Sequence, residues 1–445
     1  MYGKLQSESN KVYKIDDVPL NKFHMRITAL TFGANFSDGY SLGIIGIVLT
    51  LIGPQMKLNS VWTGLLGASA LLGLFFGSLL LGGLADRVGR QKIFITNFLI
   101  VTVFSFLQFF VNSPEMLFII RICIGLALGG DYAVGSTLLA EFAPKKYRGL
   151  LMGSLNVLWT FGYVAATFVG YYLQKYGNPG SNWRWMLVSG AIPAAIVLVL
   201  RIGTPESPRW LISKGRAEEA RNIVTKYLGA NVIIDETVSH ATNYKTSDLF
   251  KKDLLKRTLF GGVFYLCNVL PYFAIYTFLP TILERMNFGE WSFTVDTTLN
   301  LFLLIGSIAG LWMIEKFTRR GFTIYSFIIL AISLVVLVLL PDNAKVLSLV
   351  IFSFFTFVMS AASNLTLVYP AEIFPTEVRG AGVGVVTAIS RIGAALGTFA
   401  LPVVQGKWGI NVAMYSMGAV LLIGAIASIL WAPETGKLSL EDISH

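Results

Sequence analysis

The chain has 445 residues, 54% of them hydrophobic and 13% charged, with a formal net charge of +10 and a mean hydropathy of +0.66. Soluble domains carry about a quarter charged residues, so a water-facing globule is excluded, and disorder, collagen, a coiled coil and a disulfide scaffold fall with it. A polytopic, all-α membrane protein remains.

Residues 1–26 are polar and precede an apolar stretch longer than a signal-peptide core. They read as a cytoplasmic tail, not as a cleaved leader. A membrane-crossing helix needs about 20 apolar residues, and twelve segments meet that length: spans 1–6 near 27–53, 61–83, 93–111, 116–141, 149–173 and 185–203, and spans 7–12 near 258–284, 293–314, 323–340, 346–370, 381–404 and 409–431. Between the two sets, residues 204–257 form a linker, and Ala217-Glu218-Glu219-Ala220-Arg221 within it predicts short helices. A second tail covers 432–445. Of the 35 Lys and Arg residues, 27 fall in the tails and in the connections after spans 2, 4, 6, 8 and 10, with Arg201 counted at the start of the linker. The positive-inside bias then places both termini in the cytoplasm of a multi-pass plasma-membrane protein. It also accounts for the net charge without nucleic acid.

Short polar motifs recur at nearly one offset. Glu141-Phe-Ala-Pro-Lys-Lys-Tyr-Arg148-Gly149 after span 4 matches Glu372-Ile-Phe-Pro-Thr-Glu-Val-Arg379-Gly380 after span 10, 231 residues on. Asp86-Arg87-Val-Gly-Arg90 matches Glu315-Lys316-Phe-Thr-Arg319, and Pro205-Glu206-Ser207 matches Pro433-Glu434-Thr435. Such a repeat means a duplicated chain: two pseudo-symmetric six-helix bundles, 27–203 and 258–431, around a site near mid-depth. Acids accompany the basic residues at each motif. A gating set on the cytoplasmic side is therefore expected from Asp86, Arg87, Arg90, Glu141, Arg148, Glu206, Arg209, Glu315, Arg319, Glu372, Arg379 and Glu434, with ion pairs that form when that side closes and break when it opens.

These motifs resemble those of the major facilitator superfamily. Gly82-Gly-Leu-Ala-Asp86-Arg87-Val-Gly89-Arg90-Gln-Lys92 is similar to its signature between spans 2 and 3. Pro205-Glu-Ser-Pro-Arg209-Trp210-Leu and Pro433-Glu-Thr-Gly-Lys437 resemble signatures of the branch that holds sugar porters, organic ion transporters and phosphate:proton symporters. The resemblance implies a twelve-helix transporter working by alternating access. Span 4 carries Gly129-Gly130-Asp131-Tyr132-Ala133, similar to a stretch of the phosphate symporters, and Tyr272 and Asn364 align with binding positions of that family. Asn268 and Trp159 stand where that family has an acid and a glutamine. Asp38-Gly39-Tyr40 and Ser390-Arg391-Ile-Gly393 look like aromatic-acid:proton symporters, with Ser41 in place of a second acid. Span 7 reads Tyr265-Leu-Cys267-Asn268-Val-Leu-Pro271-Tyr272, without the Gln-Gln-Leu-Ser-Gly stretch of sugar porters.

Ionisable residues deep in a bilayer cost several kcal/mol unless paired or hydrated, and are functional candidates by default. From a rise of about 1.5 Å per residue, Asp38 and Arg391 lie about 18 Å, and Asp131 about 15 Å, from the cytoplasmic ends of their spans. Burial disfavours an ionised carboxyl and a neighbouring cation favours it, so Asp38 and Asp131 are candidate proton carriers; interhelical bonding is the other reading for Asp131. Arg391 can hold a carboxylate or phosphate with two parallel bonds. Arg121 lies about 20 residues from the cytoplasmic end, where reaching to the outer surface or the coupling role of a span 4 arginine in sugar and phosphate symporters would explain it. Tyr132, Trp159, Asn268, Tyr272 and Asn364, with Tyr40, Tyr163, Phe264 and Tyr276 behind them, are candidate cavity residues.

Cys123 and Cys267 sit in apolar runs as small hydrophobes, the three histidines lie in polar segments, and no Walker loop or nucleophile–base pair occurs. No cofactor, no metal and no enzyme activity are expected. The reading is a secondary active transporter, monomeric and held in a lipid bilayer. It is expected to carry a small anionic solute, an organic or aromatic acid or phosphate, by symport with protons. A sugar or polyol symporter, an exporter of amphipathic compounds and a transporter-like sensor stay open.

Overall fold

A computed structural model describes residues 13–14, 18–233, 249–285, 292–341, 343–374 and 378–435. Helix dominates because backbone groups surrounded by hydrocarbon must be satisfied within their own segment. Spans 1–5 are Lys22–Gln55, Ser60–Val88, Arg90–Leu107, Pro114–Phe142 and Lys145–Tyr176. Span 6 is broken at Gly190 into Asn182–Ser189 and Ala191–Arg201. Two short helices follow, Pro208–Ser213 and Ala217–Tyr227. In the second half, span 7 is Lys252–Thr277, extended by Leu279–Arg285. Spans 8 and 9 are Ser292–Lys316 and Arg319–Leu339, and span 10 is Lys345–Ser363 continued by Leu365–Ile373.

Spans 11 and 12 share one helical run, Arg379–Trp431, broken where Gly409 adopts φ 87°. That conformation is open to glycine at little cost and rare for other residues. Eleven long apolar helices therefore give twelve crossings. Span 1 starts five residues earlier than the hydropathy suggests. Asn21 accepts from the backbone N–H of His24 at 3.0 Å, and His24 Nδ1 accepts from the N–H of Asn21 at 3.1 Å, a reciprocal cap that carries the helix into the polar tail.

Helices 1 and 5, 2 and 4, 7 and 11, and 8 and 10 pack as close pairs. Glycine makes the first approach feasible: a Cβ built on Gly39 would stand 1.9 Å from the Trp159 carbonyl oxygen, and one on Gly162 1.9 Å from that of Phe36. Spans 1 and 7 are 78% buried whereas spans 3 and 6 are 39% and 33% buried, which puts the first pair at the centre and the second at the periphery. On the outside, Phe76, Leu80, Ile119, Ile192, Leu301, Trp312 and Ile423 are exposed, the surface expected where the solvent is hydrocarbon.

The halves meet through spans 1 and 7, 2 and 11, and 5 and 8. Gly46 abuts the Thr277 carbonyl, and the Tyr163 hydroxyl donates to the Tyr276 carbonyl at 2.6 Å. Both contacts lie toward the end remote from the termini. At the other end, Tyr13–Lys14 pairs in parallel with Val232–Ile233, joining the N-terminal tail to the linker.

Gly162→Ala should lower stability by about 1–3 kcal/mol, the usual cost of overpacking, and thermal unfolding in detergent measures it. Gly83→Ala, with no atom within 4 Å of the added carbon, should be neutral or slightly stabilising; equal losses for both would refute the close-approach account.

Candidate substrate and coupling site

Asp38 is 3% exposed in the middle of span 1. One carboxyl oxygen, Oδ2, accepts from the indole N–H of Trp159 in span 5 at 2.6 Å and from the hydroxyl of Tyr132 in span 4. The other, Oδ1, is sealed from solvent and has no hydrogen-bond partner among the described residues. Three helices of one half thus converge on a single carboxyl group, half of whose bonding capacity is unused.

Arg391 comes to this group from the opposite half. Its guanidinium carbon stands 4.8 Å from the centroid of the Tyr132 ring, and its charge acts on Asp38. The residue is only 8% exposed. No hydrogen bond or ion pair from its guanidinium occurs among the described residues. A buried guanidinium with unfilled donors is costly; a cation–π contact offsets about 0.5–2 kcal/mol of that and leaves all five N–H groups available.

Aromatic rings pack across the seam between the halves. Trp159 stacks on Tyr163 at 5.9 Å and meets Tyr272 at 6.0 Å and Phe273 at 5.7 Å, so the rings of span 5 close against those of span 7. Asn268, the repeat mate of Asp38, is 3% exposed with its carbonyl oxygen unpartnered among the described residues. Asn364 is placed otherwise. Its carbonyl accepts from Asn156 at 2.6 Å and its NH2 donates to the Ser307 carbonyl at 2.7 Å. It ties spans 5, 8 and 10 together, with both ends of its amide occupied.

Asp131 stands in a different setting from Asp38. Its two oxygens accept from Arg201 Nη1 and Nη2 at 2.5 and 3.0 Å, and the guanidinium lies between the rings of Phe94 and Phe98, 3.4 and 4.1 Å from their centroids. Arg201 also donates to the Phe94 carbonyl at 2.6 Å. This is a standing ion pair among spans 3, 4 and 6, the interhelical reading of Asp131. Arg201 itself is fully buried, which corrects its assignment to the linker: the last turn of span 6 carries it inward. The sequence signal was its place directly after the apolar run of span 6, before the turn at Gly203.

Arg121 needs a correction of a similar kind. It does not reach to the surface; it is 2% exposed, and its Nη2 donates to the Ser41 carbonyl at 3.3 Å. Ser41 lies one turn along span 1 from Asp38, about 4.5 Å by helical rise.

The motifs expected to gate form two matching clusters. In the first half, Arg90 pairs with Glu141, and Glu141 also accepts from the Ser207 hydroxyl. Glu206 accepts from the backbone N–H groups of Arg90 and Gln91 at 3.1 Å each. In the second half, Arg319 pairs with Glu372 at 3.0 Å, and Glu372 accepts from Thr435 at 2.6 Å. Glu434 accepts from the N–H groups of Arg319 and Arg320 at 3.0 and 3.1 Å. A carboxylate at the start of spans 3 and 9 satisfies orphan N–H groups and meets the positive end of the helix dipole. These bonds tie span ends within each half and do not cross between halves. In this conformation they clamp each bundle. Arg87 and Glu315 are exposed, and Arg209 is half-buried. The side chains of Asp86, Arg148 and Arg379 lie outside the described residues.

The fold agrees with that of known proteins. Residues 27–445 match the model of the family described as sugar (and other) transporter. The chain belongs to this family. It is 48% identical, over 96% of its length and 95% of the relative's, to an inner membrane metabolite transport protein, YgcS, of Escherichia coli K12. It is 27% identical, over 97% and 99%, to the niacin transporter NiaP of Acinetobacter baylyi. Among solved structures, the partially occluded inward-open xylose transporter XylE of E. coli superposes with a TM-score of 0.79 at 20% identity, over 94% of this chain and all of that one. The fold is the major facilitator fold, and the family is one of transporters, not enzymes.

Removing one partner of a buried ion pair leaves an uncompensated charge and costs about 3–5 kcal/mol. Arg201→Met should therefore lower detergent stability by about that much, whereas Arg216→Met, which breaks an exposed pair with Glu219, should leave it nearly unchanged. An Arg201→Met chain as stable as the unsubstituted one would refute the pairing.

Proposed function

We propose that the chain is a proton-coupled symporter of a small organic anion, working by alternating access from the cell membrane with both termini cytoplasmic, as a monomer in the bilayer. The observation that carries this reading is Arg391: a buried cation at the contact of the two halves, beside Asp38, whose donors are not taken up by a protein carboxylate. A solute carboxylate would complete it with two parallel charge-assisted bonds. The rings of Trp159, Tyr272 and Tyr132 suit an aromatic or planar anion, and Asn268 supplies a neutral amide from the second half. A relative named as a niacin transporter handles a pyridine carboxylate, which supports the same class.

Asp38 is the proposed proton carrier. With the site open to water on one side its carboxyl exchanges a proton. With the site sealed, its ionised form would face apolar surroundings with one oxygen unpartnered, and the neutral form is favoured. Asp38 and the incoming anion then compete for Arg391: an ionised Asp38 draws Arg391, a protonated Asp38 frees it for substrate. Arg121, one turn away, is a second cation that can meet Asp38 as the spans shift. Asp131, engaged with Arg201, holds Tyr132 in place from the preceding position.

A pentose or hexose symporter is the second reading, favoured by the name of the family and by the fold shared with a xylose transporter. Hydroxyl groups could use Asn268, the tyrosines and the guanidinium donors, but a neutral sugar leaves the charge of Arg391 unbalanced. Uptake into proteoliposomes under an imposed pH gradient, with panels of labelled aromatic acids, phosphate and pentoses, separates the two.

Asp38→Asn should abolish concentrative uptake while leaving substrate exchange, since a neutral amide mimics a permanently loaded carboxyl. Loss of both activities, or of neither, would remove it from coupling. Arg391→Gln should weaken carboxylate binding at least tenfold, about 1.4 kcal/mol, with little change in stability; unaltered carboxylate affinity would sink the anion reading.

A further inference from the structure

Asp296 is a second carboxylic acid held inside the membrane domain, far along the sequence from Asp38 and unused by the mechanism above. It lies four residues past the start of span 8, about 6 Å from that end by helical rise, and is 1% exposed. Its Oδ2 is sealed from solvent without a hydrogen-bond partner among the described residues. Asn300, one turn on, faces the same carboxyl group. The NH2 of Asn300 is donated to the Asp296 carbonyl at 2.8 Å, and its own Oδ1 is sealed and unpartnered among the described residues. The Tyr171 hydroxyl and the Asn300 amide hydrogen-bond the carboxyl group, yet Oδ2 of the acid and Oδ1 of the amide, one helical turn apart, are each left without a donor among the described residues.

Among the described residues the surroundings supply no balancing cation. Span 5, from the other half, presents Tyr171 to the carboxyl group and Tyr163 within electrostatic reach. The helix Leu279–Arg285 brings Glu284, a further acid, against Tyr171. Span 10 begins with Lys345, which is exposed. No cation among the described residues acts on Asp296.

We propose that Asp296, with Tyr171 and Asn300, is a proton-operated latch that holds shut the end of the molecule remote from the termini. One proton on Asp296 gives its orphan oxygen a hydrogen to donate and removes an unpaired charge from a sealed interface. The carboxyl group is then neutral, and spans 5 and 8 pack across the halves. When that end opens, the two spans part, water reaches Asp296, and the proton passes to that water to leave a hydrated carboxylate. The sign follows from linkage: the closed form binds the extra proton, so falling pH on that side favours closure and rising pH favours opening. The latch rests on the alternating-access reading, and not on which solute is carried.

Distances between spin labels on spans 5 and 8 test it in the full chain. Tyr172→Cys and Thr294→Cys place labels on exposed positions at this end, in a background carrying Cys123→Ala and Cys267→Ala. In liposomes the short-distance population should rise several-fold as pH falls from about 8 to about 5, the range in which a sealed carboxyl and a hydrated one differ in charge. Asp296→Asn, which keeps the shape of the neutral acid, should hold the short distance at both extremes. Tyr171→Phe should lower the short-distance population at the acid end. Asp38→Asn should keep the pH response even where it loses concentrative uptake. A pH response that persists in Asp296→Asn and vanishes in Asp38→Asn would overturn the latch and leave the coupling reading standing. A background with no pH response would overturn it as well.

Discussion

An ionised side chain in hydrocarbon is tolerated only when another group or water balances it, and this chain meets that constraint in two opposite ways. Asp131 and Arg201 balance each other fully: two bonds, two flanking phenyl rings and a backbone carbonyl enclose the pair. Asp38 and Arg391 are left incomplete. The acid spends one oxygen on Trp159 and Tyr132 and keeps the other free, while the cation rests on the Tyr132 ring. The closed pair gives the first half rigidity. The open pair leaves bonding capacity for something that comes and goes.

Rigidity and openness are distributed along the membrane normal. At the terminal face, each half carries the same clamp: arginine to glutamate, a hydroxyl to that glutamate, and a second glutamate capping the third helix of the bundle. Duplication preserved this because every bundle needs its helix ends satisfied. The centre has lost the symmetry. Asp38 has become Asn268 across the repeat, and the charged groups divide as an acid on span 1 and a base on span 11. A site between two halves of identical charge would repel one of its own sides, so asymmetry is a requirement of binding an anion together with a proton. Toward the remote end the halves touch through small residues and tyrosines, and Asp296 sits within that seam.

The span count, the duplication and the membrane setting were legible because each depends on local composition: runs of apolar residues, an offset near 230, a bias of lysine and arginine. Asp38, Arg391, Tyr132 and Trp159 also stood out in the sequence as candidates, since polar and aromatic groups at depth draw the eye, and the structure gathers them around one carboxyl group. Three kinds of residue were not legible. Arg201 looked like a loop cation because its run of apolar neighbours ends at it, and only the tilt of span 6 against spans 3 and 4 turns it inward. Arg121 looked like a surface cation because position along a helix says nothing of rotation about its axis. The engagement of Asn364 was hidden because its two partners, Asn156 and Ser307, are 208 and 57 residues distant.

By itself the amino-acid order determined that twelve helices cross a bilayer in two related sets and that a few ionisable groups are stationed at depth, because hydrophobic length and motif repetition act over tens of neighbouring residues. Only the tertiary structure decided which of those groups are spent on one another and which remain available. Pairing depends on distances between side chains far apart in the chain, and an ångström or two separates a permanent bond from a site.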